Sequence, residues 1–191
     1  MRKMATEAQY LTGQLLIAMP QMSDPRFQRS VIYMCAHTDE SAMGLVVNRL
    51  FGSITFNELL DQLGIENEGG AAGEQVHYGG PMESGRGFVL HSTDYVREGT
   101  LVIDDAFALT ATVDILRAIS EGTGPRHWLL CLGYASWGAG QLDGEIQRND
   151  WLHCPADEAL VFDKDLDTKW ERSIAKIGVS LHLLSAEAGH A

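Results

Sequence analysis

The chain has 191 residues, 45% hydrophobic and 21% charged, with 14 Lys+Arg against 26 Asp+Glu for a net charge of -12. That length suits one compact domain burying roughly 70% of its chain surface, and the composition excludes disorder as the main state. The acidic balance repels phosphate backbones and disfavours DNA binding, while 20 glycines imply many positions of tight turn or close backbone approach.

Leu11 to Met19 and Arg29 to His37 read as β-strands, separated by a turn at Ser23-Asp24-Pro25. Gly44 to Arg49 is a third strand, apolar enough for burial on both faces. The period then changes to 3.6. Thr55 and Glu58 form a capping box, Phe56, Leu59, Leu60 and Leu63 share one helical face, and Gly64 sits where the helix should end. Residues 65–74 combine glutamates with glycines and read as a mobile, solvated loop. Strands follow at Gln75 to Gly79, Arg86 to His91 and Thr100 to Ile103, while Phe107 to Ala111 fits strand or helix equally. From Thr112 the spacing of Val113, Leu116 and Ile119 predicts a second helix ending at Gly122. His127 to Leu132 is a strand, Ala139 to Arg148 a short helix, and Trp151 to Cys154 and Ala159 to Phe162 two more strands. Thr168 and Glu171 form a second capping box before a last helix that stops ahead of Gly178. Strands joined by turns, with isolated helices among them, predict an α+β domain with a curved, mostly antiparallel sheet and helices packed on it. Residues 1–10 and 185–191 read as loose tails.

No stretch approaches the ~20 apolar residues of a membrane helix, and the N-terminal segment is too polar for a secretion signal. Cys35, Cys131 and Cys154 are odd in number and far apart, so neither a disulfide framework nor a metal ribbon is indicated. The expectation is a cytoplasmic protein with no metal and no cofactor. Cys35 and Cys131 lie in apolar runs, whereas Cys154 before Pro155 is the thiol most open to solvent.

The densest unusual stretch is Gly133 to Leu142, between an apolar strand and a short helix. A strand-to-helix turn offers outward N–H groups that can hold an anion or a polarised oxygen. Tyr134 stands where a nucleophile elbow around Ser136 would need glycine, and no third glycine completes a dinucleotide fingerprint. Tight packing of Tyr134 and Trp137 at a corner is favoured over binding as the reason for the glycines. His91 ends an apolar strand beside Ser92 and Asp94, and a histidine hydrogen-bonded to a loop carbonyl is favoured there over a triad. For Asn48, bracing of a turn is favoured over contact with a ligand.

Taken together, several pieces resemble the YqgE/AlgH family of small bacterial proteins. They are Gly13-Gln14-Leu15-Leu16-Ile17-Ala18-Met19-Pro20, Phe27 with Arg29 to Tyr33, Met43 to Arg49, and Tyr78-Gly79-Gly80-Pro81. Gly87 to His91, Gly133 to Leu142 with Glu145 and Trp151, and the terminal Gly189-His190-Ala191 continue the series. Leu50 stands where the family usually has proline. The resemblance implies a bifurcated, pseudo-barrel sheet and a label of transcriptional regulator without agreed catalytic residues. The charge, only four lysines and no basic recognition helix argue that any regulation runs through a small-molecule or protein partner and not through DNA. The candidate cleft gathers Asn48, Gly79, Gly80, His91, Tyr134, Ser136, Trp137, Gln141 and Glu145. A hydrolase-like enzyme using the same cleft and a direct transcriptional regulator are the alternatives.

Overall fold

The computed structural model describes residues 10–71 and 73–178, and apart from Tyr10 the tails expected to be loose, with Gly189-His190-Ala191, lie outside them. In chain order the elements are β1 (Gln14–Ala18), β2 (Val31–His37), β3 (Ser41–Val46), β4 (Leu50–Thr55), α1 (Phe56–Gln62), β5 (Gln75–Tyr78), β6 (Met82–His91), β7 (Thr100–Val102) and β8 (Ala108–Thr110). They continue with α2 (Val113–Glu121), β9 (Trp128–Gly138), α3 (Gln141–Gln147), β10 (Trp151–Pro155), α4 (Glu158–Val161) and α5 (Lys169–Ile177). The strands make one curled sheet in the order β10-β1-β2-β3-β9-β6-β8-β7. Its pairings are antiparallel except that β5 runs parallel to β9, and β4 pairs with β5 off the main path.

β9 is where the sheet forks. Its first half pairs with β6 on one side and β5 on the other, Cys131 standing opposite both Phe88 and His77. Beyond Gly133 it pairs with β3, Ala135 opposite Gly44 and Trp137 opposite Ala42. The curved, mostly antiparallel, bifurcated sheet of the α+β class is therefore present.

Strand alternation distributes the side chains among three clusters. Leu15, Ile17, Val31, Tyr33, Leu90, Phe107 and Cys131 meet α4 and α5 through Val161, Trp170 and Ile174 in the central core. The opposite side of β1 and β2 sends Leu16, Ala18, Ile32 and Met34 toward α3, where Leu142, Trp137 and Trp151 receive them. On the other branch Val89, Leu130 and Leu132 pack under α1 and α2 through Phe56, Leu60, Ile115 and Ile119.

Several sequence expectations change. β4 was not foreseen, and β9 runs on through Gly138 where a strand-to-helix turn was expected. Gly133 at φ +78° kinks β9 without ending it, and the alternation of buried Ala135 and Trp137 with exposed Ser136 and Gly138 is that of a strand. Ala159 to Phe162, expected as strand, is the helix α4, because the Asp157 carboxylate accepts the Leu160 N–H at 2.7 Å and starts a helical turn. The box at Thr55 forms, its hydroxyl accepting the Glu58 N–H at 3.2 Å. The one at Thr168 does not, since its hydroxyl donates to Asp165 instead. Leu63, assigned to the buried face of α1, is 49% exposed because it lies past the last helical residue. Phe107 to Ala111 resolves as a strand. In the segment expected to be solvated, Ile65 is buried, Asn67 accepts from the Ser120 hydroxyl, and the Glu68 and Gly70 N–H groups donate to Ser120.

One buried cation gave no sequence signal. Lys169, in the first turn of α5, is fully buried and donates to the carbonyls of Val47 at 3.1 Å and Val161 at 2.8 Å. Burial pulls its pKa down to about 8, against the smaller opposing pull of Asp163.

Candidate functional site

Two strands and a helix converge on one pocket. Trp137 comes from the far half of β9, Trp151 opens β10, and α3 places Gln141 and Glu145 four residues apart on one face. Glu145 Oε2 accepts both indole N–H groups, from Trp137 at 2.7 Å and Trp151 at 3.2 Å. The rings stand edge to face at 6.2 Å, and Phe27 packs on both. The other Glu145 oxygen has no hydrogen-bond partner, and the carboxylate no cationic one, among the described residues. Gln141 accepts the Gly138 N–H at 3.0 Å through its carbonyl, holding the entry to α3. Ser136 lines the same cavity of about 180 Å³.

The opposite wall comes from the segment that sequence reasoning read only as a turn. Asp24 holds Arg26 in a two-pronged ion pair, 2.7 Å at its shortest, and the Arg26 guanidinium lies 5.4 Å from the Phe27 ring centre. The Arg26 hydrogen bonds keep the Asp24 carboxyl below its ordinary range. Met22, Met82 and Asp150 complete the lining and were also missed. The nearest signal was the apolar Phe27 immediately after a charged turn, four residues before β2 begins at Val31.

The remaining expected site residues lie elsewhere. Asn48 accepts the Val31 N–H at 2.9 Å and donates to the Arg29 carbonyl at 2.8 Å, so its amide braces the entry to β2. Gly79 and Gly80 cross the kink in β9, where a Cβ on Gly79 would overlap the Gly133 carbonyl and one on Gly80 the Tyr134 backbone. Tyr134 donates to Glu83 at 2.6 Å and turns its ring edge to Phe88. His91 is fully buried, its Nδ1 donating to the Ser92 carbonyl and its Nε2 accepting from Thr110, both at 2.8 Å. Burial depresses its pKa, opposed by the Ser92 carbonyl and Asp94. Ser136 and Glu145 share the pocket, and His91 does not line it, so a Ser-His pair of the serine-hydrolase kind is not formed by these residues.

The thiols also differ from expectation. Cys154, expected to be the most open, is 6% exposed and packs in the central core, because β10 is covered by α5. Burial raises its pKa and lifts that of Cys131 to about 12. Among the described residues no group of three or more His, Cys, Asp or Glu side chains is placed to hold a metal ion, and no helix is long and apolar enough to cross a membrane.

A sequence profile described as AlgH-like matches residues 15–182. A UPF0301 protein of Bradyrhizobium diazoefficiens is 57% identical over 97% of this chain and 91% of its own length. One of Rhodospirillum rubrum is 53% identical over 95% of each. The solution structure of the AlgH protein from Pseudomonas aeruginosa is 40% identical, covers 100% of both chains and superposes with a TM-score of 0.78. A crystal structure of a Corynebacterium diphtheriae protein, 20% identical over 96% of this chain and 99% of its own, shares the fold at a TM-score of 0.73.

Proposed function

The chain belongs to the AlgH-like family, and from that premise we propose that it is a regulatory binding protein that receives a small molecule or a protein segment in the Trp137–Glu145 pocket. The observation that carries this reading is Glu145, a half-buried carboxylate whose second oxygen is left for a partner inside a concave, aromatic-walled cavity. The net charge of -12 supports a route that avoids nucleic acid.

The test is a thermal-shift screen of metabolites and short peptides on the wild type, on Gln141→Ala and on Asn48→Ala. A ligand of this pocket raises the melting temperature of the wild type and of Asn48→Ala more than that of Gln141→Ala. Hits whose shifts are equal in all three would overturn the pocket assignment. A salt-dependent complex with duplex DNA at physiological ionic strength would overturn the exclusion of nucleic acid.

A further inference from the structure

The charge and wall chemistry of this pocket point to its ligand. Three carboxylates line it, from Asp24, Glu145 and Asp150, with the Arg26 guanidinium as its one lining cation among the described residues. Asp24 is neutralised by that guanidinium, and Asp150 is approached from outside the cavity by Arg148 at 3.5 Å. Glu145 alone is answered only by neutral donors, the two indole N–H groups. The two indole N–H groups hold one oxygen, but the carboxylate has no counter-ion and its other oxygen no donor among the described residues. The surrounding surface suits an alkyl stem, since the Phe27 ring and the Met22 and Met82 side chains line the same cavity. The pocket also holds one example of the recognition in question, because Arg26 rests over Phe27 while its guanidinium is clasped by Asp24.

We propose that the pocket binds an organic cation, an alkylammonium or alkylguanidinium group on a short apolar stem, with the charge at Glu145 and the stem along Phe27 and the two methionines. The proposal rests on the reading of this pocket as a ligand site and specifies what that ligand is. Gln141, whose amide NH2 has no partner among the described residues, and the Ser136 hydroxyl are placed to bond polar groups elsewhere on the molecule.

The indole N–H groups make the test direct. Titration of the full chain with n-butylammonium and n-butylguanidinium, with n-butanol and butyrate as neutral and anionic counterparts, is followed by the indole N–H resonances of Trp137 and Trp151. The Trp170 indole, bonded to the Ala18 carbonyl at 2.8 Å in the central core, serves as the fold control. The expected result is a saturable shift of both pocket indoles with the cations alone, and affinity reduced at least about tenfold in Glu145→Gln, whose amide oxygen can still accept the indoles. Should Glu145→Gln disturb the Trp170 resonance, Asp24→Asn decides, because it strips a surface carboxylate and leaves Arg26 unneutralised, and its affinity should fall several-fold. Cations that leave the pocket indoles unmoved, or that bind wild type and both variants equally, overturn the proposal. If butanol or butyrate moves the same indoles while the cations do not, the ligand pocket stands and its cationic specificity is wrong. If no probe here and no compound in the thermal-shift screen acts at the pocket, both readings fall.

Discussion

Lys169→Met tests whether the buried amine carries its charge at a cost, as its setting requires. Methionine keeps the unbranched chain and removes the charge and all three donors. Two consequences oppose each other at neutral pH. The Val47 and Val161 carbonyls lose their buried donor, at about 1–3 kcal/mol for each group left unsatisfied, while the penalty for holding an ammonium in the core disappears. That penalty follows from the pKa, about 8 in the folded chain against lysine's ordinary 10.5. Above the folded value and below the unfolded one, the unfolded chain binds more protons than the native one, so stability rises with pH. The penalty is complete below the folded pKa and gone above the unfolded one. Worked through the two binding curves, it falls from about 3.4 kcal/mol near pH 7 to about 0.8 near pH 10. The stability of the wild type relative to Lys169→Met should therefore move in favour of the wild type by about 2.5 kcal/mol over that range. Urea denaturation followed by circular dichroism at a series of pH values measures the difference. Tyr33, Cys35 and Cys131, whose burial raises their pKa values, pull the other way on alkalinisation, but they are common to both proteins and largely cancel. A difference that stays flat with pH, or drifts against the wild type, would refute the buried, costly ammonium.

Two further perturbations probe the fork and the opposite branch. Gly80→Ala drives a Cβ into the Tyr134 backbone at φ +155° and should lower stability in urea by about 2–3 kcal/mol or prevent folding, whereas Gly85→Ala, whose Cβ meets nothing within 4 Å, should fold normally. Burial, with a smaller push from Lys169, holds the His77 pKa down at about 4. The unfolded chain then takes up a proton that the native one refuses as pH falls through about 6.5 toward 4, so acidification should remove up to about 3 kcal/mol. His77→Gln should flatten that part of the acid denaturation curve, and an unchanged curve would remove His77 as its source.

How far the sequence reveals this molecule depends on how local the determining physics is. Phe56 to Leu60 form a helix for reasons contained in a few residues, a hydroxyl cap and an apolar face, and the α1 helix starts where those signals place it. Ala159 to Phe162 carries an apolar, β-prone run too short for periodicity to decide, and the cap that decides it is Asp157, just outside the run. Asn48 and His91 look alike in a sequence, polar residues closing apolar strands. Asn48 bonds Arg29 in the turn before β2 and Val31 at its start, and His91 bonds Thr110 on the neighbouring β8 as well as Ser92 beside it, and only the folded sheet brings the distant partners to them. Lys169 is the extreme case. Its carbonyl partners are Val47, just past β3, and Val161, at the end of α4, and no pattern around residue 169 distinguishes it from a surface lysine.

The glycine-rich stretch from 133 to 140 drew attention for a reason that proves separate from the pocket. Gly133 serves the crossing with Gly79 and Gly80, and past that kink β9 runs on to Trp137, whose indole meets Glu145. Backbone contact thus makes the pocket, and side chains give it chemistry. The charge of -12 acquires a local meaning in the same way. A field that repels a phosphate backbone concentrates cations, and Glu145 lies at the bottom of that attraction with no cation of its own among the described residues. A titration at rising ionic strength separates the two contributions. The part of amine affinity that comes from the general field should fade as the Debye length shortens from about 10 Å at 0.1 M salt to about 3 Å at 1 M, while the contact with Glu145 inside the pocket should persist.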